Sequence, residues 1–145
     1  MNKVVNRRFA KSKEYAQVLK TIEQKGECPF CPTNFQYSKK PILKSAGAWF
    51  AVENSWPYKN SQKHLLFISA THKENFSELS VGDFVAVAKL TRWAIKKFQI
   101  KGGALALRFG KTDYTGATVC HLHFHIIYPH KGSKRRPQTV NFPIG

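Results

Sequence analysis

The chain has 145 residues, 42% of them hydrophobic, which is typical of a single domain with one buried core. It has no apolar run of the roughly 20 residues that a membrane-spanning helix needs, and no apolar segment follows the basic N-terminus, so we expect a cytoplasmic protein without membrane contact. Lys and Arg number 24 against 8 Asp and Glu, a net charge of +16, which is compatible with nucleotide phosphates or nucleic acid as partners and also with simple solubility.

The N-terminal region divides into a basic segment and a predicted helix. The basic segment 1–10 contains no predicted element, and we expect it to be loosely attached. From Ser12 to Lys25 the apolar side chains recur at helical spacing, and Gly26 can end a helix, so this stretch predicts a short amphipathic helix. The densest basic stretches of the chain run from Lys3 to Lys13, from Lys39 to Lys44 and from Lys131 to Arg136.

The cysteines include one close pair, Cys28 and Cys31, in a C-x-x-C turn that can direct both sulfur atoms at one metal ion. An odd total of three cysteines argues against a disulfide framework. Two thiolates do not fill a tetrahedral zinc site, so zinc requires two further ligands from elsewhere in the chain. Free thiols and a redox dithiol are the alternatives. Zinc is favoured because candidate histidines lie downstream and no βαβ pattern follows closely.

After the cysteine pair, short β-prone runs predict antiparallel strands, and one long helix interrupts them. The predicted strands are Phe35–Tyr37, Ile42–Leu43, Ala48–Val52, His64–Ile68 and Ala104–Phe109, with loops at Glu53–Asn60 and Gly110–Thr118. The long helix opens at a capping box, Ser80 to Asp83, and is expected to end at Gly102-Gly103. Its predicted buried face is Phe84, Val87 or Ala88, Thr91, Ile95 and Phe98. The arm 130–145 is rich in Pro, Lys and Arg and is expected at the surface.

Three histidines, His121, His123 and His125, alternate with apolar residues, as in a β-strand that has one face against a core. In a strand the three imidazoles share one face, with neighbours about 6–7 Å apart. They form half of the six histidines in the chain, so a functional site is favoured over an exposed face without a role. Cys120 alternates to the opposite face and is expected to be a buried core thiol.

Together these motifs resemble those of the histidine-triad (HIT) superfamily, whose motif is His-x-His-x-His followed by two apolar residues. The resemblance covers residues 27–129, and a second histidine pair, His64 and His72, makes it more specific. The Asn-x-x-Pro-Tyr sequence of residues 54–58 is similar to the branch that contains dinucleoside-polyphosphate hydrolases and phosphorylases. The resemblance implies an α+β fold over residues 1–145, in which a long helix and a short N-terminal helix pack on an antiparallel sheet, and often a homodimer.

The same resemblance implies nucleotidyl transfer through a histidine. His123 corresponds to the nucleophile that attacks the α-phosphorus of a nucleotide. His125 corresponds to the residue that bonds the phosphate or leaving-group oxygens, and His64 to the histidine that supports the transferring phosphate. In members that bind zinc, the metal ligands correspond to Cys28, Cys31, His72 and His121. This zinc would be structural, since four protein ligands leave no open position.

Candidate substrate-binding residues follow from matches to the family pattern and from departures from it. Asn54 matches a ribose-binding residue, and its alternative is an ordinary turn-forming Asn. Where the family commonly has Gly-Gln-Ser before the triad, this chain has Gly116-Ala117-Thr118, so Thr118 keeps a hydroxyl while the Gln is lost. Arg108 or Lys111 can take the place of an Asn that is common on the preceding strand. Trp56 and Tyr58 would flank a base or, alternatively, belong to the packing of the core.

Three functional hypotheses follow. The favoured one is a zinc-stabilised HIT enzyme that cleaves a phosphoanhydride or phosphoramidate of a nucleotide through His123. The second, motivated by the charge of +16, removes a nucleotidyl group from a nucleic-acid end, as in the aprataxin branch. The third, motivated by the lost Gln at Ala117, is a catalytically weak binding module for nucleotides or RNA.

Overall fold

The structure is a computed structural model that describes residues 3–37 and 40–145; the side chains of residues 35–37 are not described. Lys39 of the predicted basic stretch therefore lies outside the described residues. The helices are α1 (Lys13–Lys25), α2 (Val81–Phe98) and α3 (Thr112–Thr115), and the strands are β1 (Ile42–Ala46), β2 (Trp49–Glu53), β3 (Ser61–Ser69), β4 (Ala104–Leu107) and β5 (His123–Pro129). The predicted α+β architecture is confirmed. Within the described part of the chain, none of the helices is long and apolar enough to cross a bilayer.

The five strands form one antiparallel sheet in the order β1-β2-β3-β5-β4. β5, which carries His123 and His125, lies between β3 and β4, and α2 connects those two strands. His121 was predicted to be in the same strand but precedes it, because its side chain belongs to the cluster with Cys28, Cys31 and His72. In the β3–β5 ladder, His64 is opposite Ile127, Leu66 is opposite His125, and Ile68 is opposite His123. Residues opposite each other share a face of the sheet, so His64 lies on the same face as His123 and His125.

The other face of the sheet packs on α2 and forms the main core. Its buried residues include Trp49, Ala51, Leu65, Phe67, Phe124 and Ile126. The helix begins after Ser80, whose side chain accepts a hydrogen bond from the backbone N–H of Asp83, as the predicted capping box requires. The Asp83 carboxylate accepts hydrogen bonds from Trp49 and Lys73, which joins the start of the helix to the sheet.

The predicted face of α2 is partly wrong. The buried residues are Asp83, Ala86, Val87, Leu90 and Ala94, whereas Phe84 and Ile95 are 42% and 46% exposed. Alanines on the buried stripe bring the helix close to the sheet: a Cβ added at Gly47, in the β1–β2 turn, would lie 3.2 Å from Ala86. Large side chains would hold the helix away.

Several predicted boundaries also differ from the structure. Residues Pro32–Tyr37 form a 3₁₀ helix where a strand was expected at Phe35–Tyr37. α2 ends at Phe98, before Gly102-Gly103, and its C-cap residue Gln99 adopts the left-handed conformation. Gly103 has another role, because a Cβ there would lie 2.4 Å from the carbonyl oxygen of Ile127 on the neighbouring strand. β4 ends at Leu107, two residues before Phe109, and α3 lies within the predicted loop Gly110–Thr118.

The N-terminal segment is not loosely attached where the structure describes it. Val5 is fully buried and forms a bridge with Val119. Asn6 is also buried, and its side-chain amide donates hydrogen bonds to the side chains of Thr112 and Asp113. The excess of basic residues obscured an apolar pair, Val4 and Val5, that packs with α1 and the cysteine turn.

Candidate active site and metal centre

The four predicted metal ligands converge on one point. Cys28, Cys31, His72 and His121 each offer a ligand atom, and these four atoms lie within 4.8 Å of one another. The Sγ–Nδ1 distances are 3.3 Å for Cys28–His121, 3.5 Å for Cys31–His72 and 3.8 Å for Cys31–His121. A tetrahedral zinc ion with Zn–S of about 2.3 Å and Zn–N of about 2.1 Å holds its ligand atoms roughly 3.4–3.8 Å apart. The spacing of these side chains therefore fits zinc.

Hydrogen bonds outside the cluster set the ring orientation of both histidines. Nε2 of His121 lies 2.7 Å from the carbonyl oxygen of Ser69, and Nε2 of His72 lies 3.0 Å from the carboxylate of Glu74. Each Nε2 therefore carries the proton and donates it, which leaves the lone pair of each Nδ1 facing the cysteines. Such partners are typical of histidines that bind metals.

The protonation states of the cluster also suit a metal. Burial lowers the pKa of His121 to about 4, so the ring is neutral at pH 7. Burial raises the pKa of Cys28 to about 12, so without a cation this residue is a thiol. A divalent ion deprotonates the thiols that bind it. The cluster thus joins the cysteine turn, the segment after β3 and the entry to β5.

The ring of His123 is fixed by the same segment. Its Nδ1 lies 2.7 Å from the carbonyl oxygen of His121, so Nδ1 carries the proton and Nε2 carries the lone pair. Burial lowers the pKa of His123 to about 4, so the imidazole is neutral at pH 7. His123 lines a cavity, and a neutral imidazole that faces a cavity is a nucleophile without need of an auxiliary base.

His64 and His125 form a chain of hydrogen bonds beside His123. The backbone N–H of Tyr58 donates to Nδ1 of His64 at 3.1 Å, so the proton of His64 is on Nε2. That Nε2 donates to Nδ1 of His125 at 2.9 Å. The proton of His125 is therefore on its own Nε2. This atom is buried and has no hydrogen-bond partner among the described residues.

An unpartnered N–H in such a place is costly unless a ligand accepts its hydrogen bond. Burial, with charges nearby, lowers the pKa of His64 to about 3 and holds that of His125 well below its usual value, so both rings are neutral. The face of β5 thus presents, side by side, a lone pair on His123 and a buried hydrogen-bond donor on His125. Their ring centroids are 4.9 Å apart.

A cavity of about 370 Å³ opens over these rings. Residues of α1, the cysteine turn, the β2–β3 loop and the segment before the triad line it together with His123 and His125. Three of the four predicted substrate-binding residues, Asn54, Thr118 and Arg108, are among the lining residues. Lys111 is not: it is exposed and precedes α3.

The side chains of Asn54 and Thr118 already form hydrogen bonds within the protein. Nδ2 of Asn54 lies 3.3 Å from each ring nitrogen of His64, and its Oδ1 accepts a hydrogen bond from the backbone N–H of Trp56. Thr118 is 2.7 Å from the hydroxyl of Tyr15. Asn54 thus has the contacts of the turn-forming alternative while it also lines the cavity.

The C-terminal arm, predicted to be a surface arm, folds back onto the site. Arg108 donates a hydrogen bond of 2.8 Å from Nε to the carbonyl oxygen of Pro143, and its guanidinium lies 4.0 Å from the centre of the Phe142 ring. Phe142 in turn packs against His125, with ring centroids 5.0 Å apart. The arm is therefore exposed along much of its length but joins the site at Phe142.

The fold that carries this site recurs in solved structures. No protein-family model and no curated protein matches the sequence. A Zn-bound histidine triad family protein from Mycobacterium smegmatis is 19% identical with a TM-score of 0.57, over 77% of this chain and 81% of that one. A hypothetical histidine triad nucleotide-binding protein from Sulfolobus tokodaii strain7 has the same TM-score and coverage at 24% identity.

A third similar structure is the diadenosine triphosphate hydrolase of Plasmodium falciparum, solved in complex with cyclomarin A. It is 21% identical with a TM-score of 0.52, over 68% of this chain and 74% of that one. This chain has the HIT fold. At these identities the likeness establishes the fold, and the chemistry is argued from the residues of this chain.

Several residues of this site were not found from the sequence. Lys11, in the basic N-terminal stretch, reaches the cavity, and Phe142 reaches His125 from the C-terminal arm. Both come from segments without a clear periodic pattern, so only their tertiary placement reveals them. Tyr58, considered for base contact or packing, lies against His64 and His125. Cys120, predicted to be buried, is only half-buried and lies outside the metal cluster.

Proposed function

We propose that this HIT-fold protein is a nucleotidyl hydrolase, which cleaves a phosphoanhydride or phosphoramidate at the α-phosphorus of a nucleotide through a covalent nucleotidyl-His123 intermediate. The proposal rests on where the protons lie on the imidazole rings of His123 and His125, both on β5. The lone pair of His123 Nε2 and the buried, unpartnered N–H of His125 lie side by side under one cavity. Attack on phosphorus requires a nucleophile and a donor in this arrangement.

In the first step, Nε2 of His123 forms a bond to the α-phosphorus while the bond from phosphorus to the leaving group breaks. The leaving group takes the electron pair. A phosphate leaves as its anion, to which His125 Nε2–H donates a hydrogen bond, whereas an amine also takes a proton from solvent and leaves neutral. The proton on Nδ1 of His123 stays in place, so the nucleotidyl-imidazole is cationic. The carbonyl oxygen of His121, 2.7 Å from Nδ1, stabilises this positive charge.

In the second step, the oxygen of a water molecule forms a bond to phosphorus and the P–N bond breaks. The electron pair returns to Nε2 of His123, one proton of the water passes to solvent, and a nucleoside monophosphate leaves. Because the imidazole is cationic in the intermediate, it is a good leaving group, and turnover follows without a further base.

Zinc belongs to this proposal as a structural ion. Cys28, Cys31, His72 and His121 would hold it, and four protein ligands leave no position for substrate. When bound, it supplies a cross-link between three segments of the chain. His121 is the residue that connects this cluster to the nucleophile, because its side chain belongs to the cluster and its carbonyl oxygen binds His123.

The test is to trap the intermediate. Mixing the protein with diadenosine tetraphosphate labelled at the α-phosphates, followed by a quench in strong base, should leave label on the peptide that contains His123. His123→Ala should retain no label and release no monophosphate. His130→Ala is the matched control, since His130 is an exposed histidine outside the cavity. Release of monophosphate by His123→Ala would disprove the covalent mechanism.

A second candidate function is suggested by the net charge of +16. The leaving group can be the phosphorylated end of a nucleic acid, since the same phosphoanhydride then joins a nucleotide to an oligonucleotide. Release of AMP from a 5′-adenylylated oligonucleotide should then depend steeply on salt, because phosphate contacts release counterions. A rate that is indifferent to the length of the oligonucleotide would exclude this candidate.

A further inference from the structure

Two cations of the cavity surround the side chain of Tyr58. Nζ of Lys11 lies 3.4 Å from the centre of the Tyr58 ring, and Nη1 and Nη2 of Arg108 each donate to its hydroxyl at 3.1 Å. Both residues line the same cavity as His123 and His125. The two cations come from distant parts of the chain, the N-terminal segment and the end of β4, and the fold brings them together.

These cations have no carboxylate partner among the described residues. One acidic residue, Glu53, also lines the cavity, but Lys63 binds its carboxylate at 2.5 Å and Lys40 lies 3.6 Å from it. Burial, together with the charge of Arg108, lowers the pKa of Lys11 to about 8. The site thus holds two adjacent positive charges whose repulsion an anionic ligand would relieve.

The cations lie on one particular side of the nucleophile. The ring of His123 is perpendicular to that of Phe30, with centroids 4.9 Å apart, and its centroid is also 4.9 Å from that of His125. Tyr58 stacks on His125, with centroids 5.7 Å apart and planes 14° apart. Lys11 and Arg108 therefore flank the side of His125, whose N–H is directed to the leaving group in the proposed reaction.

From this placement we propose that Lys11, together with Arg108, binds a phosphate of the leaving group, so that the preferred substrates are nucleoside polyphosphates. The inference rests on the proposed function and adds the substrate class to it. A phosphate adjacent to the α-phosphorus supplies the anion that the cations lack. The leaving group of a phosphoramidate has no phosphate, so it gains nothing from Lys11. Lys11 is then the residue that discriminates between the two classes.

The experiment compares two substrates that share the AMP group. Values of kcat/KM are measured for diadenosine tetraphosphate and for adenosine phosphoramidate, with the wild-type protein and with Lys11→Gln, Lys11→Arg and Lys13→Gln. Lys13 is the matched control, because it is an exposed lysine two residues away that does not line the cavity. The phosphoramidate reaction also reports whether each variant is folded.

We expect Lys11→Gln to lower kcat/KM for diadenosine tetraphosphate about 10- to 100-fold, the effect of one hydrogen bond to a charged group. Its activity on the phosphoramidate should stay within about twofold of wild type. Lys11→Arg should restore most of the loss, and Lys13→Gln should change neither rate. Three results would overturn the role of Lys11 and leave the proposed function standing. They are an equal loss on both substrates in Lys11→Gln, no loss on either substrate, and a wild-type protein that cleaves only the phosphoramidate. A wild-type protein that cleaves neither substrate would overturn both.

Discussion

At the scale of single residues, the site depends on which nitrogen of each imidazole carries the proton. One backbone N–H, that of Tyr58, starts a sequence of donors that passes through His64 and ends at Nε2 of His125. One backbone carbonyl, that of His121, sets the opposite tautomer in His123. Two neighbouring histidines on the same strand thereby receive different chemical roles, a donor and a nucleophile.

This dependence predicts the behaviour of His64 as a positioning residue. His64→Leu removes the donor to Nδ1 of His125, so the proton of His125 is no longer held on Nε2. For the phenyl ester of AMP, a substrate with a basic leaving group, we expect kcat/KM to fall about 100-fold, the effect of losing one transition-state hydrogen bond. For the p-nitrophenyl ester, whose leaving group needs little stabilisation, the fall should be less than about tenfold.

His64→Gln is the conservative counterpart, because its side-chain amide can still donate to His125. It should recover a large part of the activity on the phenyl ester. Equal losses on the two esters would indicate that His64 only maintains packing, and the proposed donor role would then be wrong.

At the scale of elements, the metal cluster connects segments that the sheet does not connect. The cysteine turn precedes β1, His72 follows β3, and His121 precedes the ladder of β5. The hydrogen bond from His121 Nε2 to Ser69 places the entry to β5 beside the end of β3. We therefore expect removal of a metal held by these four side chains to loosen the entry to β5.

Substitution of a cysteine ligand tests this expectation. Cys28→Ser should reduce the zinc content from one ion per chain to nearly none, and a loss of about 3 kcal/mol should lower the midpoint of thermal unfolding by roughly 10 °C. Cys120→Ser is the matched control, since Cys120 is a free cysteine outside the cluster. Zinc content that is unchanged in Cys28→Ser, or an equal loss in both variants, would contradict the assigned ligand set.

The sequence was most informative where one pattern fixes both structure and chemistry. Strict alternation predicted the strand that carries His123 and His125, although it placed His121 in that strand as well. The capping box at Ser80 placed the start of α2 correctly. The buried face of α2 was missed because alanines determine it. A search for large apolar residues selects Phe84 and Ile95, whereas the close approach of helix and sheet selects Ala86 and Ala94.

The residues of the metal cluster were predicted, whereas some residues of the cavity were not. The ligand set came from resemblance to a family, and the structure brings all four side chains together. The approach of Lys11 and Phe142 depends on how two terminal segments fold back over the sheet, and no local periodicity encodes such long-range contacts. The assignment of Arg108 to the cavity follows from the sheet, because it continues the alternation of Ala104 and Ala106, which share the face of the triad.

At the scale of the whole molecule, a protein with a charge of +16 keeps several histidines neutral in its interior. Burial, with the nearby charges of Lys11 and Arg108, lowers the pKa of His64 to about 3. The pKa of His125 is also well below its usual value, chiefly through burial. In the unfolded chain both groups titrate near the ordinary histidine value of about 6.5.

These shifts make the folded state sensitive to acid. Above about pH 6.5 both states are neutral at these positions, and the histidines contribute no pH dependence. Between about pH 6.5 and pH 3 the unfolded chain binds more protons than the folded one, so the free energy of unfolding decreases as the pH falls. Each such histidine contributes about 1.4 kcal/mol per pH unit in the middle of this range.

Denaturant titrations at several pH values can isolate the contribution of His64. His64→Gln removes one titrating group, so its free energy of unfolding should fall less steeply than that of the wild type between pH 6 and pH 4, by about 1.4 kcal/mol per pH unit. Acid release of a metal affects both proteins and cancels in the difference of slopes. His130→Gln is the matched control, since it removes an exposed histidine outside the cavity, and it should keep the wild-type slope. Parallel curves for wild type and His64→Gln would show that His64 takes up a proton in the folded protein between pH 6 and pH 4. The chain of hydrogen bonds from Tyr58 through His64 to His125 would then be wrong.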